Sequence, residues 1–161
     1  MAVFFHEEDI PAGVMGDGAV AVDTETMGLQ THRDRLCLLQ ISDGEGDEHL
    51  VRFGPDSDYA APNLRAILAD PKRVKLYHFA RFDLAAIEHY MGVMAEPVFC
   101  TKIASRLIRT YTDRHGLKDE LEVRLEREGR TALAQACFDF LPDRARLDLA
   151  GWPETDIFAH A

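Results

Sequence analysis

The chain has 161 residues, of which 47% are hydrophobic and 29% charged, and its formal net charge is -10. This length and apolar content fit one globular domain, predicted over residues 1–161, with a sizeable core. The negative charge argues against a protein that coats long nucleic acid, because such binding depends on many basic contacts to phosphates, but it leaves open a short anionic substrate held by metal ions.

Strand patterns fill the first third of the chain. The apolar run Val3–Phe5 is followed by a turn-rich link and by the small apolar run Ala19–Val22, then by Arg35–Ser42 and Glu48–Phe53. Because the last three runs are three strands in a row, we predict that they form an antiparallel meander.

Helical spacing begins after the meander. Apolar residues three and four apart predict a helix over Ala61–Asp70, a strand returns over Val74–Phe79, and a second helix starts at Arg81 and stops at Gly92. A short apolar run over 97–100 precedes a helical segment over 101–111, and a long helix with an interruption at Gly129 is predicted beyond it. Strands first, then strands alternating with helices, predict an α/β domain built on a mixed sheet.

The cysteines and the N-terminus bear on location. Cys37, Cys100 and Cys137 are odd in number, widely spaced and set in apolar surroundings, which is typical of reduced core thiols. The sequence shows neither a basic leader nor an apolar run long enough to span a bilayer. We therefore expect a cytoplasmic protein that does not enter membranes.

Two acids, Asp23 and Glu25, stand one residue apart after the apolar run that ends at Val22. Alternate residues of a strand share a face, so the two carboxylates point the same way and are able to share a cation. Oxygen ligands suit Mg²⁺ or Mn²⁺, and two such ions clamp the attacking and leaving oxygens of a phosphoryl displacement. The alternative is that these are ordinary charged residues near a strand end.

A third acid, Asp83, lies in the first turn of the helix that follows the strand over 74–79. Asp83 is the natural candidate for a third metal ligand, because it follows a second strand. Its negative charge also suits the dipole at the start of the helix. The simpler interpretation is that Asp83 only caps that helix.

These residues carry a family resemblance. "AVDTETMGL" and "HFARFDLAAI" resemble the first and second exonuclease motifs of the ribonuclease D branch of the DEDD 3'-5' exonucleases. "VDTETMGLQTHRDRLCLLQIS", "VFCTKIASRLIRTYTDRHGLK" and the closing "LAQACFDFLP" and "ARLDLAGWPETDIFAH" are similar to the nanoRNase C family, over almost the entire chain. The resemblance implies a ribonuclease H-like fold and a diribonucleotidase, which releases nucleoside 5'-monophosphates by two-metal-ion catalysis.

The resemblance also implies the site residues and partners. Asp23, Glu25 and Asp83 would be the catalytic residues and would bind two divalent ions, Mg²⁺ or Mn²⁺. Leu29 matches the apolar wedge that slips between the bases of a short substrate, although ordinary packing is its alternative. The substrate is implied to be short RNA, above all dinucleotides, and the assembly a homo-oligomer, octameric in the family. The further residues considered for substrate binding are Thr24, Met27, Gly28, His78, Arg81 and Lys102.

Two further features are open to a simpler interpretation. His115 is either a general base or phosphate contact, or a solvated loop histidine. Trp152, Ile157 and Phe158 are more apolar than a free terminal tail should be, so they either fold back on the core or meet a neighbour.

The third exonuclease motif of this family, Tyr-x-x-x-Asp, is missing from the sequence. "HGLKD" runs almost directly into "ELEVRLEREGR", and the last tyrosine, Tyr111, precedes Asp113 by the wrong spacing. Either the chain is shortened near 118–121, or a segment is omitted from the sequence there. The alternatives to a dinucleotide exonuclease are a ribonuclease D-like enzyme that trims longer RNA and a catalytically impaired nucleotide-binding homologue.

Overall fold

A computed structural model describes residues 2–44 and 47–119, which form six strands and three helices. The strands are β1 (Val3–Glu7), β2 (Val20–Thr26), β3 (Leu36–Ser42), β4 (Glu48–Arg52), β5 (Lys75–Tyr77) and β6 (Val98–Cys100). The helices are α1 (Pro62–Ala69), α2 (Arg81–Met91) and α3 (Thr101–Ile108).

The six strands form one sheet in the order β1-β4-β3-β2-β5-β6. β2, β3 and β4 pair antiparallel, which confirms the predicted meander. β5 and β6 extend the sheet from β2 in parallel, and β1 pairs parallel with β4 at the other edge. The predicted α/β class with a mixed sheet is thereby confirmed.

Two helices bury the apolar faces that their spacing predicts. α1 buries Leu64 and Leu68, and α2 buries Ile87 and Met91. These side chains join one hydrophobic cluster with residues of the sheet, among them Val20, Val22, Leu36, Leu39, Ile41 and Val51. Because β2 and β3 contribute most of the sheet residues in that list, the core lies against the centre of the sheet.

Two strands differ from the sequence-based bounds in ways that matter for the acids. β2 continues to Thr26, beyond the predicted end at Val22, because its antiparallel pairing with β3 extends that far, with a bulge between Glu25 and Thr26. Both acids therefore lie within the strand and not after it. β5 is shorter than predicted and ends at Tyr77.

The chain divides into two compact units, Met1–Ile103 and Ala104–Ala161. All six strands, α1 and α2 lie in the first unit. The predictions of a single exonuclease domain over 1–161 and of a missing segment near 118–121 are not tested, since the structure describes nothing after 119. The predicted long helix lies mainly outside the described residues. The apolar group Trp152, Ile157 and Phe158 lies wholly outside them.

Two of the three cysteines lie in the described ranges. Cys37 is buried and Cys100 half-buried, both as free thiols, while Cys137 lies outside those ranges. Among the residues described, no helix has the length and apolarity needed to cross a membrane.

Candidate active site

Asp23 and Glu25 lie on one face of β2. The residues that alternate with them, Val20, Val22 and Thr24, are buried, whereas Asp23 is exposed and Glu25 half-buried. This is the period-two alternation of a strand with one face in the core. The two carboxylates are therefore presented together on the face that solvent reaches.

Asp83 approaches the same strand from α2. Its Oδ1 accepts hydrogen bonds from the backbone N–H of Thr24 at 3.0 Å and from Thr24 Oγ1 at 2.7 Å. The pairing of β2 with β5 extends only to Ala21 opposite Leu76, so the carboxylate takes the place of a strand partner farther along β2. The residue before α2 is Ala80, and no side chain caps the helix. The interpretation of Asp83 as a simple cap is therefore wrong.

The pKa values of all three carboxyl groups are raised, in each case mainly by burial. Burial, and then the charges of Asp23 and Asp83, raise the pKa of Glu25 to about 7. Burial is also the main cause that raises the pKa of Asp83 to about 7, against the hydrogen bonds from Thr24. Surrounding protein atoms raise the pKa of Asp23 too, although part of its side chain reaches solvent. Ionisation of all three groups is therefore electrostatically unfavourable, because Glu25 meets the charges of both aspartates and Asp83 meets that of Asp23.

The chemistry of this donor set fits a hard divalent cation. Carboxylate oxygens are the ligands that Mg²⁺ and Mn²⁺ prefer, and none of the ion pairs formed by the described residues reaches Asp23, Glu25 or Asp83. Within the same ranges, no three acidic, histidine or cysteine side chains are placed so that they could hold an ion as they stand. Cation binding therefore requires these side chains to adjust, and it would relieve their repulsion.

The loop after β2 presents two exposed apolar side chains. Met27 is 61% exposed and Leu29 is 75% exposed, so the structure does not show Leu29 packed in the core. Asp34 holds this loop, because its Oδ2 accepts the backbone N–H of Gln30 at 2.9 Å. Sequence analysis missed Asp34, whose role depends on a turn that its spacing from Gln30 does not reveal.

Gly28 is required by a close approach. A Cβ added to Gly28 would lie 2.4 Å from Oδ2 of Asp34. Its φ is not among the positive values found for glycines in the described residues. The glycine therefore makes room for a carboxylate beside the strand exit.

The remaining predicted residues gather at the ends of β5 and β6. Thr101 Oγ1 donates to the carbonyl of Tyr77 at 3.2 Å, and His78 Nδ1 lies 2.9 Å from the same hydroxyl. Lys102 places Nζ 4.3 Å from the ring centroid of Phe79, and Arg81 is exposed at the first position of α2. The substrate role of His78, Arg81 and Lys102 stays a prediction.

His115 is not a solvated loop histidine. It is buried, and its Nδ1 lies 2.9 Å from Oγ of Ser105. Both residues belong to the second unit.

This chain is similar to known 3'-5' exonucleases. The family model described as "3'-5' exonuclease" matches residues 7–125, well over half of the chain. The solved structure of Brucella melitensis NrnC with bound Mg2+ is 44% identical, covers 100% of both chains and gives a TM-score of 0.70. The same nuclease bound to pGG also gives 44% identity, full coverage and a TM-score of 0.70.

Curated relatives match over a shorter stretch. Ribonuclease D of Escherichia coli is 34% identical over 85 residues, which is 53% of this chain and 22% of that protein. Protein RRP6-like 1 of Arabidopsis thaliana is 30% identical over 102 residues, or 63% of this chain and 16% of that protein. The chain thus spans about a fifth of these two relatives. The mixed sheet, the matched exonuclease model and the full-length likeness to NrnC together place the chain in the 3'-5' exonuclease family, in its ribonuclease D-like DEDD branch with a ribonuclease H-like fold.

Proposed function

We propose that this protein is a metal-dependent 3'-5' exoribonuclease that hydrolyses very short RNA, with dinucleotides preferred, to nucleoside 5'-monophosphates. The observation that carries the proposal is the link between Asp83 and Thr24, which holds a third carboxylate at the strand of Asp23 and Glu25. In a member of the 3'-5' exonuclease family, an acidic cluster at this place would serve phosphodiester hydrolysis.

The three carboxylates would hold two divalent ions, Mg²⁺ or Mn²⁺. When bound, such ions supply charge neutralisation at the phosphate and a lower pKa for the attacking water. In the overall reaction a water oxygen bonds to phosphorus, the P–O3' bond breaks, and the 3'-oxygen leaves as a hydroxyl. Thr24 contributes by fixing the direction of Asp83, so that one carboxylate of the set is already oriented.

The preference for a dinucleotide rests on the loop after β2. Leu29 and Met27 are exposed apolar side chains beside the acidic cluster in sequence, and an apolar side chain between two bases would select a short, splayed substrate. Support also comes from a relative at 44% identity whose structure is described as bound to pGG.

The substrate proposal is tested by comparing rates on RNA of two lengths. Protein stripped with EDTA and then given Mg²⁺ or Mn²⁺ is expected to convert a dinucleotide to mononucleotides at least about tenfold faster than it shortens a seven-nucleotide RNA. Equal rates on both substrates would instead identify a ribonuclease D-like trimmer of longer RNA.

A second candidate is favoured by one sequence feature, the missing Tyr-x-x-x-Asp motif after "HGLK". A catalytically impaired homologue would bind the dinucleotide but give no turnover with either ion. Equilibrium binding measured beside product release separates this candidate from the enzyme.

We also propose that the protein acts in the cytoplasm as a homo-oligomer, up to an octamer. The sequence supports association, because the apolar side chains of Trp152, Ile157 and Phe158 would gain from burial against a partner surface. Light scattering should give a multiple of the 18.1 kDa chain mass and a smaller species after truncation beyond Ala150. A monomer in both cases would contradict the proposed assembly.

A further inference from the structure

Phe79 is an exposed aromatic residue between the end of β5 and the start of α2. Its side chain is 51% exposed, and Asp83 follows it by four residues on α2. Because β2 and β5 are parallel neighbours, the residues that follow them lie at the same edge of the sheet. Phe79 and Leu29 are therefore two exposed apolar side chains that leave adjacent strands at this edge.

The backbone of Phe79 is unusual for a bulky residue. Its φ is +69°, in the left-handed region that a residue with a large side chain rarely adopts. The carbonyl of Phe79 accepts the N–H of Phe82 at 3.2 Å as the chain turns into α2. Glycine would make this turn without strain, so the turn alone does not explain an aromatic residue. Strained residues of this kind cluster at functional sites.

Lys102 holds the ring from one side. Its Nζ lies 4.3 Å from the ring centroid, within the range of a cation–π contact. Because the ammonium of Lys102 lies over one face of the ring, a group that stacks on Phe79 would use the opposite face. The result is an oriented aromatic surface with a positive charge directly behind it.

We propose that the open face of Phe79 is a stacking platform for one nucleobase of the short RNA substrate. Every base has a π-face, so a single aromatic ring accepts purines and pyrimidines alike. Lys102 supports the ring and adds positive charge near an anionic substrate. The proposal rests on the proposed function, since it assigns a base subsite to the same reaction.

Kinetics on a dinucleotide test the platform. Phe79→Ala and Phe79→Gly are expected to raise KM by about 5- to 150-fold with little change in kcat, the range that loss of one base–aromatic stack gives. Phe79→Tyr keeps the ring and should stay within about twofold of wild type. Phe99→Ala is the matched control, because Phe99 is 48% exposed on β6, and its KM should not change.

Two dinucleotides, each lacking a different one of the two bases, make the test specific. A dinucleotide with an abasic sugar at the platform position should bind wild type as poorly as the normal dinucleotide binds Phe79→Ala. The same substrate should bind Phe79→Ala no worse than the normal one does. Wild-type KM in Phe79→Ala, or a further loss on both abasic dinucleotides in that variant, overturns the platform.

A binding measurement keeps this proposal separate from the proposed reaction. Fluorescence of a 2-aminopurine dinucleotide should be quenched on binding wild type and Phe79→Tyr but not Phe79→Gly, with thermal melts to confirm that each variant is folded. Quenching without turnover would leave the platform standing and reject the reaction. Equal quenching by wild type and Phe79→Gly would reject the platform whether or not the dinucleotide is hydrolysed.

Discussion

Thr24 is the residue that joins the two sequence motifs in space. The alternation of β2 is sufficient to predict that Asp23 and Glu25 share a face, and the structure confirms that prediction. The approach of Asp83 to Thr24, 59 residues away along the chain, could not be predicted from spacing. It depends on α2 bringing Asp83 to β2 where β5 no longer pairs with it.

The raised pKa values predict how stability depends on pH without divalent ions. The pKa values of Glu25 and Asp83 are about 7 in the folded protein and 4.5 and 3.8 in their ordinary state. The folded state therefore binds more protons than the unfolded state between these values, and stability falls as pH rises through this window. In EDTA we expect the melting temperature to drop by about 5 °C from pH 5 to pH 8 on account of these groups.

Glu25→Gln provides the control for that pH dependence. It removes one of the two titrating groups and a neighbouring charge, so the drop in melting temperature should become clearly smaller and the protein at pH 8 more stable. Mg²⁺ should have a similar effect on wild type. The assigned repulsion would be contradicted if the melting temperature of wild type rose from pH 5 to pH 8 at least as steeply as that of Glu25→Gln.

Gly28 gives a prediction about stability at the site. The carboxylate of Asp34 lies where a Cβ at position 28 would stand, and Asp34 is fixed by its bonds to Gln30 and Arg33. Gly28→Ala should therefore cost about 1–3 kcal/mol of unfolding free energy, as overpacking does, measured by urea denaturation. Gly18→Ala, where nothing lies within 4 Å of the added Cβ, should cost far less. Equal losses would contradict the steric explanation.

At the level of the elements, hydrophobic periodicity predicts that a helix or strand exists, and which of the two it is, better than it predicts where that element begins and ends. The helical patterns predicted over 61–70 and from Arg81 to Gly92 correspond to α1 and α2, with the expected buried residues. The bounds of β2 and β5 were wrong, because pairing with a neighbouring strand decides where a strand ends. The start of α1 also depends on a distant residue, since the carboxylate of Asp9 accepts the N–H groups of Asn63 and Leu64, each at 2.9 Å.

Lys75 is a buried tie between elements. It is fully buried, and its Nζ donates to the carbonyls of Asp70 at 2.6 Å and Glu96 at 2.5 Å. Burial lowers the pKa of this amine, but its hydrogen bonds connect the end of α1 and the segment before β6 to the first residue of β5. Sequence analysis treated Lys75 as an ordinary strand residue, since nothing in its neighbours predicts burial of a lysine.

Lys75→Met tests this tie. The substitution keeps the apolar length of the side chain but leaves two carbonyls without their donor, so we expect a loss of about 2 kcal/mol in unfolding free energy. Lys72→Met is the control, because Lys72 is exposed three residues earlier. Chemical denaturation of both variants decides the point, and a Lys75→Met protein as stable as wild type would mean that the tie contributes little.

At the scale of the whole molecule, the order of patterns was enough to predict the fold. A three-strand meander followed by alternating strands and helices predicts a mixed sheet, and the observed strand order has that form. The motifs around Asp23 and Asp83 point to the family that the comparisons show. The sequence alone does not decide whether the third motif is absent from the protein or omitted from the sequence. That motif would follow the last described residue, Asp119.

Cation-dependent hydrolysis of a dinucleotide by wild type, Asp83→Asn and Asp56→Asn is the most direct test of the central claim. Asp56 is an exposed acid in the segment between β4 and α1, so its replacement controls for loss of one charge. With Mg²⁺ or Mn²⁺ restored after EDTA, wild type and Asp56→Asn should release nucleoside 5'-monophosphates at similar rates. Asp83→Asn should fold and lose at least about a hundredfold in rate. Release of monophosphates by Asp83→Asn at the wild-type rate, or by wild type in EDTA, would contradict the proposed site.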